Sequence, residues 1–448
     1  MNRCTYCGNE NRDNAIFCNQ CSKPLSYLIQ VEFSKDLNKT LGSLISKVNK
    51  TNEGYELNQE IRHNITLFWN MIFKYSNFET VIRNDEITID GLYYNLPLNL
   101  SYKLKHTTKN SIFTKFIVEL NNYYKEYKQS LSTQKYEYLF LTNINKSKIN
   151  ENVFKLLELF NFEIYNLYDL IKINDSIFNN HEKKILLQNI TEKRLILKYE
   201  IKGKESGFVY NQAIKNICSF LGFITLSDNY NKYHEVISST SFESNYNLSE
   251  YKIVSSISFS ETISAENKHY LLLQLDCLNT KIYGFKVEIN KFFLDKYKQV
   301  EDKIYLKINE YLNLYYLASI ENDLSTSFLK YWSLSERIIK DMCNTMVDEK
   351  LLKLMKNILI LAGHPNYVYN QLVYIYKKRN AYVHEFNPDI INESDRNLIK
   401  LVSDKLLGFI ICYNDKITDF NDYGYILEYL NKKEEIVKIY NLLEDISK

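Results

Sequence analysis

The chain has 448 residues, 45% hydrophobic and 25% charged, which is the balance of a globular protein long enough for roughly two to four domains. A formal net charge of +2 excludes a global field that draws the molecule onto nucleic acid or membrane, so any polyanion contact is expected from local patches. No apolar run reaches the ~18 residues of a membrane span and the opening "MNRCTYCGNE" has no charged-then-apolar leader, so a cytoplasmic protein without a membrane partner is expected.

The first element is a cysteine array. Cys4, Cys7, Cys18 and Cys21 form C-x2-C-x10-C-x2-C. Two-residue gaps let both thiolates of a pair reach one metal, and two such turns close a tetrahedral zinc site with Zn–S near 2.3 Å. A disulfide framework needs an oxidising compartment, and a redox C-x-x-C needs a βαβ context that 25 residues cannot supply. The segment resembles bacterial zinc-ribbon modules with C-x-x-C-G followed by C-x-x-C-x-x-x-L. That resemblance covers residues 1–25 and implies a closed, structural Zn2+ site. Arg3, Arg12 and Lys23 face only Glu10 and Asp13 in charge count, too weak a patch to argue for nucleic acid. Cys218, Cys277, Cys343 and Cys412 lie mostly beside apolar neighbours and read as ordinary buried thiols.

Residues 30–300 read as a central α+β domain, helical first and then largely antiparallel, with a possible sensing or regulatory role. Amphipathic helices are expected at 58–75 and 150–162. Strands rich in β-branched and aromatic residues are expected at 136–144, 194–203, 250–260, 269–278 and 281–290. His63, His106, His181, His234 and His269 have no partner at metal-ligand spacing.

From about 303 the strand signal stops. Helices are expected at 323–343, 348–363, 366–386, 393–415 and 431–446, with Gly363 as a C-cap and Pro388 as a stop. Short links between them favour an antiparallel bundle. Within "KKRNAYVHEF", Arg379 and His384 form R-x4-H. They differ by about 140° around the helix and about 7.5 Å along it. Arg379 falls in line with Ile375 and Val383, so its charge needs a partner or a groove. Glu336, one turn from Trp332 on an earlier helix, is the expected partner.

R-x4-H with Asn380 directly after the arginine, in such a bundle and with Glu336 upstream, resembles a HEPN domain of the Apea-like branch found in anti-phage and abortive-infection systems. The resemblance covers roughly 305–446. The overall fold class expected is therefore multidomain α+β: zinc ribbon at 1–25, central α+β domain at 30–300, and an all-α HEPN-like bundle at 305–446. The resemblance implies metal-independent RNA cleavage, with tRNA among the candidate substrates, in a homodimer whose two motifs face one groove. His384 would act as general base or acid, Arg379 would hold the scissile phosphate, and Asn380 would orient the histidine or support the groove. Lys377 and Lys378 would bind backbone phosphates. No cofactor serves the chemistry, and a phage-derived or protein trigger is the expected regulator. Phe386 stands where one HEPN branch has a modifiable tyrosine, which argues against that form of control. Residues 305–448 carry 18 Lys and Arg against 20 Asp and Glu, so RNA contact must be confined to the groove.

The competing expectation is a non-catalytic protein whose bundle dimerises and whose ribbon docks a partner. A weaker third is a zinc-ribbon nucleic-acid binder with a helical tail.

Overall fold

In the computed structural model the structure describes residues 2–3, 10–11, 29–51, 54–89, 91–107, 112–165, 193–236, 253–260, 287–343, 348–364, 368–385, 390–414, 417, 419–432 and 437. These residues are mostly helical and carry one four-stranded sheet and two short hairpins. They divide into two compact units, 1–136 with 201–212, and 137–200 with 213–448. The division does not fall at the expected boundary near 300. Much of the expected central domain belongs to the same unit as the C-terminal helices.

In the first unit, strands β1 (Asn2–Arg3) and β2 (Glu10–Asn11) pair antiparallel, Asn2 with Asn11 and Arg3 with Glu10. Strands β3 (Lys50–Thr51) and β4 (Gly54–Tyr55) form a second hairpin. Helices α1 (Lys35–Lys47), α2 (Gln59–Tyr75), α3 (Phe78–Asn84), α4 (Asn95–Leu104) and α5 (Ile112–Ser130) enclose an aromatic-rich core. Ser34 and Asn58 cap α1 and α2 by accepting from Asp36 N and Ile61 N. Leu37, Leu41 and Leu44 recur at helical spacing on the buried face of α1. Trp69 places its ring in the core, and its indole N–H donates to Tyr93 O at 2.8 Å. Residues 201–212 supply Glu205, whose carboxylate accepts from Thr88 N and Oγ1 and also from Phe208 N.

The sheet contains β5 (Gln134–Asn145), β6 (Phe162–Ile164), β7 (Arg194–Gly203) and β8 (Ile253–Ser260) in the order β6-β7-β5-β8. β6 and β7 are antiparallel. Lys146 N donates to Lys193 O, so the end of β5 lies beside the start of β7 and that pair is antiparallel too. α6 (Glu151–Leu159), capped by Asn150, follows β5. The helix expected at 150–162 thus stops at 159, and 162–164 pairs as a strand.

The largest departure is α7 (Ser206–Val236), 31 residues of helix inside the stretch expected to be largely strand. Residues 217–227 are buried on every side, so the apolar pattern has no period to betray a helix. Phe220 packs on Phe160 and Phe162, and Phe223 on Tyr297, with ring centroids 4.7–5.8 Å apart. The strand expected at 269–278 and all but the end of that at 281–290 lie outside the described residues. Val287 makes an isolated parallel bridge to Ile149.

The C-terminal helices are α8 (Lys291–Lys298), α9 (Asp302–Ser319), α10 (Leu324–Met342), α11 (Asp348–Leu361), α12 (Val368–Glu385), α13 (Glu393–Tyr413) and α14 (Phe420–Tyr429). Gly363 at φ +83° ends α11 as expected, with His364 N returning to Leu359 O. α13 is the central helix, buried along 395–404 and again over 406–411. The helix expected at 431–446 lies almost wholly outside the described residues. No described helix is long and apolar enough to cross a membrane.

Candidate functional site

Leu372 and Ile375 are fully buried, and Tyr376 lays its ring 5.9 Å from that of Trp332 on α10. These residues seat one face of α12, and the next position on that face is Arg379. Its Nη1 donates to Asn380 Oδ1 at 3.0 Å, and its Nη2 lies 3.9 Å from Glu336 Oε2. Glu336 also accepts from Lys340, one turn along α10, at 2.9 Å. Arg379 Nε is enclosed without a partner. The guanidinium is therefore anchored at one end and loosely paired at the other, with its side chain 29% exposed. Such a group retains donors for an incoming oxyanion.

His384 is exposed on the same helix, five positions on. Asn380, expected to orient the histidine or support the groove, accepts from Arg379. Lys377 is exposed. Lys378, expected to bind RNA phosphates, is turned inward: its ammonium lies 2.6 Å from Asp395 Oδ2 and 4.7 Å from the Tyr374 ring centroid. With that side chain 11% exposed and Asp395's 8%, this is a buried structural pair. Asp395 also closes the capping box of α13 with Asn392. The signal was present in the sequence as N-x-x-D before an apolar run, but an aspartate at the third position reads as an ordinary first-turn acid.

Deeper in the bundle, α13 buries an ion pair that the sequence did not reveal. Lys400 lies 2.9 Å from Asp404, both essentially inaccessible. Burial raises the Asp404 pKa, while Lys400 beside it pulls the other way. Ser403 meets Ser335 at 2.8 Å, and Tyr331 meets Ser319 at 2.8 Å, so polar groups thread the core in bonded pairs. Among the thiols, Cys218 is buried with its pKa pushed up to about 12, whereas Cys343 and Cys412 are half-buried; Cys277 lies outside the described residues.

Residues 3–25 match the family model of a zinc-ribbon domain. No curated protein and no solved structure matches the chain. Cys4, Cys7, Cys18 and Cys21 all fall within the match but outside the described residues. The β1–β2 pairing joins the backbone on either side of the first C-x2-C. Four thiols are a complete tetrahedral donor set, so the residues fit a zinc ion that would cross-link the ribbon and leave no open position for chemistry. Among the described residues no group of three His, Cys, Asp or Glu side chains is placed to hold a metal.

Proposed function

We propose that the chain is an endoribonuclease effector of anti-phage or abortive-infection defence, built on a HEPN-like helical bundle and working as a homodimer without a catalytic metal. The observation that carries this reading is the Arg379–Asn380–Glu336 constellation, with His384 exposed farther along the same helix. Arg379 would neutralise the scissile phosphate, with Glu336 and Asn380 holding its guanidinium. The 2′-hydroxyl would attack the adjacent phosphorus and the P–O5′ bond would break. His384 of one copy takes the 2′ proton, and the second copy's His384, protonated, gives one to the departing 5′ oxygen. The products are a 2′,3′-cyclic phosphate and a 5′-hydroxyl. Cys4, Cys7, Cys18 and Cys21 would hold a structural zinc ion. The ribbon and the first compact unit would restrain the bundle or sense a phage-derived or protein trigger.

The test is cleavage of total cellular RNA, tRNA included, with a chelator present and the ends mapped. Wild type is expected to cut, whereas His384→Ala and Arg379→Ala stay dimeric and inactive. Cleavage retained in His384→Ala, or an Arg379→Ala chain that falls apart, would refute the assigned roles. The second reading is a non-catalytic interaction and dimerisation protein. It is favoured by the exposed Tyr425, Ile426 and Tyr429 on one face of α14. No cleavage by any form, with partner binding that needs that face, would establish it.

A further inference from the structure

Arg396, in the first turn of α13, is only 7% exposed. An arginine offers five N–H donors and stays charged at any physiological pH. Nε and Nη2 both donate to the side-chain oxygen of Asn397, at 3.3 and 3.1 Å. That is one edge of the guanidinium, and its acceptor is a neutral amide. Among the described residues the other edge, Nη1 with the second hydrogen of Nη2, donates to nothing, and no carboxylate pairs with Arg396.

The neighbouring buried charges are already matched. Asp395 takes Lys378, and Asp404 takes Lys400. Arg396 is thus a third buried cation beside two buried ion pairs. A buried charge left without a counter-charge is strongly unfavourable even after relaxation. An arginine that merely snorkels keeps its head in water and shows substantial exposure. Arg396 does not. Yet its free edge is not sealed: Nη1 is not one of the enclosed, partnerless nitrogens, as Arg379 Nε is.

We propose that this open edge of Arg396 is a binding site for a phosphate group. A guanidinium edge presents two parallel N–H donors that match two phosphate oxygens. An edge opening narrowly on solvent suits a group that keeps its remaining oxygens hydrated, which phosphate does. The site is independent of the nuclease reading, since it needs neither His384 nor Arg379.

The experiment is thermal unfolding of the full chain in phosphate-free buffer at constant ionic strength. Inorganic phosphate or an uncleavable 2′-O-methyl RNA hexamer is titrated in. The wild-type Tm is expected to rise by roughly 2–4 °C for each tenfold increase above Kd. Arg396→Met is expected to lose that rise and, without phosphate, to melt no lower than wild type, because it removes an uncompensated charge. Arg396→Lys keeps a charge without the fork, so its phosphate affinity is expected to fall at least about tenfold. A response to free phosphate alone makes this a small-ion site, and a response to the hexamer makes it a backbone-phosphate site; either supports the proposal. It is overturned if wild type responds to neither, if Arg396→Met keeps the response, or if Arg396→Met melts lower or fails to fold without phosphate.

Discussion

At the scale of single residues, the polar groups of the helical unit are sorted by how completely they are matched. His364 follows Gly363 in the turn after α11, and its Nε2 is enclosed without a partner. Burial pushes its pKa down from 6.5 to about 4, with Lys405 adding to the shift. Its folded-state value therefore lies below its unfolded one. Neutral His364 contributes stability above about pH 6.5, and that contribution is lost as the pH falls toward 4. The ring keeps some contact with water, so the discounted contribution is about 1–2 kcal/mol. Chemical denaturation of wild type and His364→Gln between pH 7 and 4 checks this. The variant is expected to lose less stability on acidification, and identical pH profiles would show that His364 is not the source.

At the scale of elements, close approach sets the helix packing. An added Cβ at Gly222 of α7 runs into the carbonyl of Leu312 on α9, which is backbone and cannot swing aside. Gly222→Ala is expected to destabilise by about 1–3 kcal/mol. Gly42 of α1 has open space around it, and Gly42→Ala is expected to stabilise by about 0.5–1 kcal/mol, since a helix interior favours alanine. Melting both variants beside wild type checks the contrast, and equal shifts would remove the packing account. Elements with one wet face were legible in the sequence, and so was α13, which is buried almost all round but starts from the exposed cap at Asn392. α2, α10, α11 and α12 alternate buried and exposed positions, and the expected ranges lie within a few residues of the observed ones. α7 was missed because it is dry all round over its middle and starts after Glu205, not after a strong capping residue such as the Asn392 of α13. Strand β7 was legible over its full length because Leu195, Ile196 and Leu197 precede an alternating, polar-edged half. At the site, Arg379 and Glu336 could be paired from helix phase alone. The Lys378–Asp395 and Lys400–Asp404 pairs could not, because a helix wheel does not tell a salt-bridged inner face from a solvated outer one.

At the scale of the whole molecule, the ribbon match covers only residues 3–25 and so concerns a small part of the chain. Structural zinc is folding free energy for so short a segment. Cys4→Ser is expected to lower bound zinc from one equivalent to well below one. It should leave the melting of the helical core within about 1 °C of wild type, since the described core of the first unit begins only at Ile29. Metal analysis of the purified proteins checks the first part and calorimetry the second. Full zinc retention would show that Cys4 is not a ligand.

The return of residues 201–212 to the first unit has a consequence for how this protein is made. Thr88 waits for Glu205, 117 positions later in the chain. The amino-terminal unit therefore stays unfinished on the ribosome until residue 212 has emerged, well after residue 136. A nascent chain stalled between those points would hold most of that core but leave Thr88 without its acceptor. Protease resistance of such stalled chains should be partial past residue 136 and rise again in a step past residue 212, which makes the order of synthesis readable in the order of protection.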